Sequence, residues 1–223
     1  MNLKCLMFSS LISIFLLGTA GCSEPIPQQN KTQSEASQLY EQGGRYFLGK
    51  DVTKDYQKAF SYFQMAAEKG LPIAQNDLAG MYFKGIGTQK NEEKAYYWYE
   101  KAAKNNFPEA QYNLGLMYDN GYYVNKDRSK ALEFYKLSSD QGYAKAQYNL
   151  ANIYSDGSLV KQDNEKALEL YIKVAEKGVP EAQNNLAYMY ANVYSDYEKA
   201  KYWFQKAADN GYQPAKEALE QFQ

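Results

Sequence analysis

The sequence contains no histidine and only two cysteines, Cys5 and Cys22, both near the N-terminus. Histidine is the side chain that most often serves as a general base and as a transition-metal ligand, so its absence removes both roles. Because no cysteine follows Cys22, the rest of the chain can form neither a disulfide framework nor a cysteine metal cluster.

An excess of charge of either sign is also lacking, since 25 Lys and Arg residues stand against 26 Asp and Glu residues. No basic run marks a nucleic-acid-binding surface. Nucleophile elbows, phosphate loops and metal-ligand spacings are missing as well. The sequence Asp119-Asn120-Gly121 begins like a calcium loop but lacks the later ligands. We therefore predict a protein that is not an enzyme and that has no metal, no cofactor and no nucleic-acid partner.

A mostly apolar run occurs only at the start of the chain, over residues 5–17. Its 13 residues suit the hydrophobic part of an export signal and are too few to span a bilayer comfortably. Small residues, Thr19, Ala20 and Gly21, then precede Cys22. This arrangement resembles the bacterial lipobox, in which the cysteine is lipidated after cleavage. We predict a lipoprotein signal peptide over residues 1–21; the alternative is an ordinary secretory signal with an incidental cysteine.

The residue after Cys22 is Ser23 rather than Asp. In Gram-negative lipoproteins, which this segment resembles, that choice implies sorting to the outer membrane. The expected location is thus the periplasm, with the chain anchored to the outer membrane by lipid on Cys22. Residues 22–35 are rich in Pro, Gln, Ser and Asn and predict a flexible tether.

A unit of 36 residues recurs along the remainder of the chain, opened by Ala74, Ala110, Ala146 and Ala182, and the next step, to Ala215, is 33 residues. A fixed period of this size is typical of stacked repeat architectures. In the copy from Ala110, apolar residues at i, i+4, i+7 and i+8 predict a first helix that ends at Gly121. Asp127 then has the position of an N-cap for a second helix, which ends at Gly142.

Two kinds of column predict how the helices pack. One kind is small in every copy, so that helix backbones can approach closely: Gly43, Ala79, Gly115, Ala151 and Ala187, and Ala59, Ala95, Ala131, Ala167 and Ala200. The other kind is large and aromatic: Tyr46, Tyr82, Tyr118, Tyr154 and Tyr190, and Phe63, Tyr99, Tyr135, Tyr171 and Phe204. One helical hairpin cannot bury such a face alone, so the copies must stack.

The pattern A-x-x-x-L-G-x-x-Y, a glycine loop, and then K-A-x-x-x-Y-x-x-A-A resembles the Sel-1-like repeat, a relative of the tetratricopeptide repeat. The resemblance covers residues 36–223. It implies an all-α fold, a right-handed α-solenoid of about five helix hairpins. Residues 215–223 lack a second helix and are expected to form a C-terminal capping helix.

Related repeats line a concave face with the first helix of each hairpin and use Asn side chains there to hold a ligand backbone. The matching columns give candidate partner-binding residues: Asn76, Tyr112, Asn113, Leu116, Tyr148, Asn149, Asn152, Asn184, Asn185 and Tyr188. Asn suits this task because its amide both donates and accepts. The alternative is that these amides brace neighbouring helices and belong to the repeat itself.

These observations favour a non-catalytic, lipid-anchored interaction module that binds a protein or peptide in the periplasm. Two more specific hypotheses are an immunity protein that neutralises an antibacterial, phospholipase-type effector, and an activator of a cell-envelope enzyme. An enzyme acting on the cell wall is the contrasting hypothesis, and the lack of histidine and of a convergent acid pair argues against it.

Overall fold

A computed structural model of the chain describes residues 28–220, which form eleven α-helices and no strand. The signal peptide and Cys22 lie outside the described residues. The helices are α1 Gln28–Leu48, α2 Tyr56–Glu68, α3 Pro72–Lys84, α4 Glu92–Lys104, α5 Pro108–Asn120, α6 Arg128–Asp140, α7 Ala144–Asp156, α8 Asn164–Ala175, α9 Pro180–Asn192, α10 Tyr197–Asp209 and α11 Gln213–Glu220.

The start of α1 corrects one predicted boundary. Residues 28–35, assigned to the tether, are helical, so the first helix begins at Gln28 rather than near residue 36. The end of this segment packs within the first hairpin: Lys69 Nζ, just after α2, lies 2.9 Å from Glu35 Oε2, and the next residue, Ala36, is fully buried. Residues 31–34 of this helix are exposed, which agrees with the polar composition that suggested a tether.

Each helix packs mainly on the helices before and after it in the chain, and the closest packing occurs within five pairs, α1 with α2 through α9 with α10. The hairpins stack in chain order, and α11 covers the last one through Ala215 and Ala218. This is the predicted all-α solenoid with its C-terminal cap. We call α1, α3, α5, α7 and α9 the A helices and their hairpin partners the B helices. In the described part of the chain, none of the helices has the length and hydropathy needed to cross a bilayer.

The predicted helix ends are confirmed. Asp127 precedes α6, and its Oδ1 accepts a hydrogen bond of 3.0 Å from the backbone N–H of Lys130. Gly121 ends α5 with φ of 78°, a left-handed conformation that β-branched residues resist. Asn106 takes the glycine position at the end of α4, with φ of 58°. Local sequence therefore determines where each hairpin turns.

The small columns allow the close packing that the sequence predicts. Gly115 lies against the buried ring of Tyr135, and a Cβ atom at Gly115 would come within 2.6 Å of that ring. Gly43 stands in the same relation to Phe63. The B-helix alanines of the second small column are fully buried: Ala59, Ala95, Ala131, Ala167 and Ala200.

A charged contact recurs once in every hairpin, at the turn between its helices. In the third hairpin, Lys130 Nζ lies 5.2 Å from the ring centroid of Tyr118 and 4.0 Å from Oδ2 of the N-cap Asp127. The other lysine–tyrosine pairs are Lys58–Tyr46, Lys94–Tyr82, Lys166–Tyr154 and Lys199–Tyr190. Each of these contacts lies within a single repeat, so it stabilises the hairpin rather than the stack.

A buried glutamine joins each hairpin to the next. Gln183 Nε2 donates to the carbonyl of Ala175 at 3.0 Å, and its Oε1 accepts from Asn210 Nδ2 at 2.9 Å. Gln75, Gln111 and Gln147 occupy the same column and are at most 6% exposed. Both ends of each amide find partners, as burial of a polar group requires. The sequence analysis did not identify this column.

Candidate functional site

The A helices are joined to each other by a ladder of four side-chain hydrogen bonds. Each rung links residues 37 positions apart, so it connects one repeat to the next. The rungs are Tyr40 Oη to Asp77 Oδ2 (2.7 Å), Asn113 Nδ2 to Asn76 Oδ1 (3.0 Å), Asn149 Nδ2 to Tyr112 Oη (3.5 Å) and Asn185 Nδ2 to Tyr148 Oη (3.1 Å). We refer to these four contacts as the ladder.

The ladder shows that the predicted Asn column braces neighbouring helices, which was the alternative left open by the sequence. Asn113, Asn149 and Asn185 each use an amide N–H for the rung and remain partly exposed. Asn76 and Asn184 are only 4% and 5% exposed, so helix packing rather than a partner surrounds them. Direct ligand contact by the exposed sides of the first three amides stays a prediction.

The ladder ends at Asn184. Its Nδ2 donates to Asn185 Oδ1 at 3.5 Å, while its own Oδ1 is buried without a hydrogen-bond partner. In the second, third and fourth repeats the matching residue accepts a hydrogen bond from the next A helix, as Asn76 does from Asn113. Counting from Ala215, the corresponding residue of α11 is Ala218, which has no polar group to offer.

A cleft of about 790 Å³ opens over the ladder between the second and third repeats. Asn76 and Asn113, the two residues of one rung, both line it. The residues around it come mainly from α3 and α5: Phe47, Phe63, Asn76, Asp77, Gly80, Met81, Phe83, Lys84, Ile86, Tyr99, Glu109, Tyr112, Asn113, Leu116, Met117, Asn120, Tyr122 and Lys145. We call this site the cleft.

Four of the ten predicted partner-binding residues line the cleft: Asn76, Tyr112, Asn113 and Leu116. The other six lie beyond it, on α7 and α9: Tyr148, Asn149, Asn152, Asn184, Asn185 and Tyr188. The structure therefore brings together one part of the predicted set, in the N-terminal half of the solenoid.

One column of the repeat explains where the cleft lies. It reads Gly80, Leu116, Asn152 and Tyr188 in successive repeats. Asn152 Oδ1 accepts hydrogen bonds from Tyr171 Oη at 2.5 Å and from Asn185 Nδ2 at 3.3 Å. The ring of Tyr188 packs edge-on against Phe204, with centroids 4.8 Å apart. At Gly80 no side chain is present, and a Cβ there would meet only Tyr99 Oη, at 3.6 Å.

Two carboxylates line the cleft, Asp77 and Glu109, and both are partly buried. Burial raises the pKa of Asp77 above the usual carboxyl range, although hydrogen bonds from Tyr40 and Asn76 oppose this effect. The pKa of Tyr99 is also raised, first by burial and then by the negative charges of Glu109 and Asp77. The interior of the cleft is thus an acidic environment, in a chain of nearly zero net charge.

The rim of the cleft is aromatic and basic. Phe83 packs edge-on against Tyr122 with ring centroids 5.1 Å apart, and Tyr122 remains 39% exposed. Lys84 and Lys145 line the cleft with exposed side chains. Next to Tyr122, Tyr123 adopts φ of 61°, an uncommon conformation for a bulky residue. Apolar walls with a few convergent polar groups are typical of binding sites.

Sequence reasoning missed Asp77 and Glu109 as site residues. Asp77 was visible in the Asn column as its one acidic member, and that departure from the repeat was the available signal. Glu109 gives no such signal, because a first-turn carboxylate is favoured by the helix dipole wherever it occurs. Within residues 28–220, no group of three or more His, Cys, Asp or Glu side chains is placed to hold a metal ion.

Comparison with known families agrees with this geometry. The model of the Sel1 repeat matches five consecutive segments, residues 39–71, 72–107, 108–143, 144–179 and 180–212. The chain belongs to the Sel1 repeat family. Each matched Sel1 repeat corresponds to one hairpin, so five repeats and the cap account for all eleven described helices. The Sel1 repeat is a protein-interaction fold, generally without catalytic activity.

Solved Sel1 repeat structures resemble the chain over most of its length. A Sel1 repeat protein from Oxalobacter formigenes is 34% identical, with a TM-score of 0.75 over 81% of this chain and 75% of that protein. The protective antigen c5321 of uropathogenic Escherichia coli is 32% identical, with a TM-score of 0.74 over 85% of this chain. This chain covers 41% of c5321.

The immunity protein PA5088 of Pseudomonas aeruginosa is 25% identical, with a TM-score of 0.54 over 85% of this chain and 68% of that protein. A search of curated proteins found no match.

Proposed function

We propose that this chain is a non-catalytic binding module that holds a segment of a partner protein in the cleft. The observation that carries the proposal is the cleft itself, with a volume of about 790 Å³, apolar walls, and amide and carboxylate groups at its base. Its volume falls in the range of small-molecule and side-chain binding sites. The protein-interaction role of the Sel1 fold supports the same conclusion.

The module acts in the periplasm, attached to the outer membrane by lipid on Cys22. This part of the proposal rests on the sequence alone, namely the apolar run of residues 5–17 and the small residues before Cys22. More than one acyl chain on a single cysteine gives stable attachment, since one chain alone binds membranes only marginally.

Likeness to PA5088 favours a more specific role, in which the partner is an antibacterial effector and the chain is its immunity protein. An immunity protein must recognise its toxin tightly, and a cleft that encloses a side chain of the partner contributes to such specificity. An effector encoded beside this chain, and neutralised by it when both are expressed, supports this role; survival that is independent of this chain contradicts it.

A site-directed crosslink tests whether the cleft is the binding surface. The photoreactive residue benzoylphenylalanine replaces Tyr122 at the cleft rim or, as a matched control, Tyr97 on α4. Both tyrosines are exposed, at 39% and 48%, but Tyr97 does not line the cleft. We expect one protein, identified by mass spectrometry, to attach at position 122 and not at 97. Attachment at 97 alone contradicts the proposal.

Replacement of Cys22 by Ser tests the anchor separately. We expect the unmodified chain to pellet with membranes at high salt and the Cys22→Ser variant to be released, because lipid on Cys22 is the proposed attachment. A Cys5→Ser variant is the control, since Cys5 lies inside the predicted signal peptide. If Cys22→Ser pellets as before, Cys22 is not the anchor.

A further inference from the structure

The first rung of the ladder departs from the repeat. The later rungs are built on Asn113, Asn149 and Asn185, whereas the first is built on Asp77. Bracing does not require a charge, because Asn149 makes the corresponding contact with a tyrosine through a neutral amide. A charge at this rung therefore needs an explanation other than helix packing.

Among the residues that the structure describes, Asp77 has no cationic partner for its charge. Its carboxylate accepts hydrogen bonds from Tyr40 Oη at 2.7 Å and Asn76 Nδ2 at 3.2 Å, both neutral donors. Among the ion pairs of the described residues, none includes Asp77 or Glu109. Burying a carboxylate without a cationic partner costs free energy, and a ligand that supplies the cation removes that cost.

The acidic and basic residues that line the cleft differ in how far they are buried. Asp77 and Glu109 are partly buried, and both of their charges raise the pKa of Tyr40, whose largest perturbation is burial. Lys84 and Lys145 line the same cleft but are exposed, and neither forms an ion pair with these carboxylates. The acidic groups of the cleft are therefore more buried than its basic groups.

We propose that the cleft accepts a basic side chain, arginine or lysine, from an extended segment of the partner protein, with its charged group at Asp77 and Glu109. This inference rests on the proposed function, because it names the chemistry of the partner that the cleft holds. The space left by Gly80 admits the side chain. Its aliphatic stem packs along Leu116 and Phe83, as basic side chains do when they pass an apolar surface.

The experiment uses the full-length protein and two dye-labelled peptides, Gly-Phe-Arg-Phe-Gly and Gly-Phe-citrulline-Phe-Gly. Citrulline has nearly the shape of arginine without its charge. Fluorescence anisotropy measures both dissociation constants for the unmodified protein, for Asp77→Asn and for Asp140→Asn. Asn at position 77 reproduces the other rungs and can still accept from Tyr40, so this variant is expected to fold. Asp140 is exposed at the end of α6 and controls for net charge.

We expect the unmodified protein and Asp140→Asn to bind the arginine peptide at least tenfold more tightly than the citrulline peptide. In Asp77→Asn this preference is expected to disappear. Equal binding of both peptides by the unmodified protein overturns the cation site, while leaving the cleft as a binding surface. Preference retained in Asp77→Asn, or no binding of either peptide, also overturns it. The crosslink at position 122 tests the proposed function independently of all three results.

Discussion

The N-terminal and C-terminal halves of the solenoid are built from the same repeat but differ in a few side chains. In the N-terminal half, Gly80 leaves a space over the ladder, and the rung below it carries the charge of Asp77. In the C-terminal half, Asn152 fills the equivalent space and joins Tyr171 to Asn185. The backbone hairpins are the same in both. The two halves therefore differ in the side chains of two columns, and under the proposed function these columns decide whether a repeat binds the partner or only supports its neighbours.

Filling the space at Gly80, as Asn152 fills the equivalent space in the C-terminal half, is expected to have the largest effect. In Gly80→Asn, the new amide lies near Tyr99 Oη, as Asn152 lies near Tyr171. We expect it to occupy the cleft and to reduce crosslinking of the partner at position 122 at least tenfold. Gly80→Ala is the control, because its Cβ makes an ordinary contact of 3.6 Å with Tyr99.

The same control has an effect of its own on stability. Gly80 lies inside α3, and glycine within a helix is about 0.5–1 kcal/mol less favourable than alanine. Gly80→Ala should therefore raise the free energy of unfolding by that amount while keeping partner capture, as denaturant titration will show. Loss of capture in Gly80→Ala would mean that the cleft depends on backbone freedom at residue 80 rather than on space.

The second prediction concerns the hydrogen bonds of Asn185, in the C-terminal half. Asn185 donates to Tyr148 Oη at 3.1 Å and to Asn152 Oδ1 at 3.3 Å, and it accepts from Asn184 Nδ2 at 3.5 Å, so Asn185→Ala removes three hydrogen bonds. We expect it to lower the free energy of unfolding by about 2 kcal/mol, within the range for buried partners left unsatisfied. Asn113→Ala removes the single bond to Asn76 and should cost about 1 kcal/mol. Equal losses would contradict the contrast between the two halves.

A third prediction concerns the boundary between the halves, where α5 meets α6. In Gly115→Ala, the new Cβ comes within 2.6 Å of the Tyr135 ring, which is 1% exposed and has little room to move. Overpacking of this kind costs about 1–3 kcal/mol. The gain in helix propensity offsets part of the cost. We expect a net loss of about 1 kcal/mol by denaturant titration, opposite in sign to Gly80→Ala; a gain would show that Tyr135 repacks freely.

These predictions indicate what the sequence contained and what it did not. Gly121 and Asp127 were predicted correctly because helix ends depend on the backbone and side chain of a few adjacent residues. The Asn column was found by its period, but its partners were not. A rung joins residues 37 positions apart in two different columns, and only the stacking of helices brings them together.

The cleft was predicted in part for a related reason. The cleft depends on space beside Gly80, where no side chain is present, and such a space has no sequence motif. The predicted end of the tether at residue 35 was wrong: residues 28–35 are polar in sequence but helical, and the packing beside them, through Ala36 and the contact between Lys69 and Glu35, has no sign in composition. Composition describes the exposed side of such a helix and not its packing.

The smallest expected effect is a pH dependence at the first rung. Burial raises the pKa of Asp77, so the folded state holds this proton more tightly than the unfolded state does. Ionisation of Asp77 therefore destabilises the fold as the pH rises through the raised pKa, and the cost remains at neutral pH. Tyr40 and Asn76 donate hydrogen bonds to the group, and Tyr99 lies near enough for the charge of Asp77 to raise the pKa of its hydroxyl.

Asp77→Asn removes that cost. We expect it to be slightly more stable than the unmodified protein at pH 7 and equal to it near pH 3, below the ordinary carboxyl pKa of about 3.9. Urea midpoints at the two pH values give the difference, with Asp140→Asn as the exposed control. A difference that is the same at both pH values would assign the effect to hydrogen bonding rather than to charge.

The side-chain oxygen of Asn184, which has no hydrogen-bond partner, affects the order in which the repeats are expected to unfold. Because each hairpin contacts only its neighbours, opening begins at an end and moves inward. Within the described residues, α11 offers no donor to the side-chain oxygen of Asn184, so the junction between α9 and α11 lacks the side-chain hydrogen bond found at each earlier junction of the ladder. Amide hydrogens of α11 and α10 should exchange with solvent before those of α3 to α6. The core of the cleft, on α3 and α5, is then expected to open later than this C-terminal end.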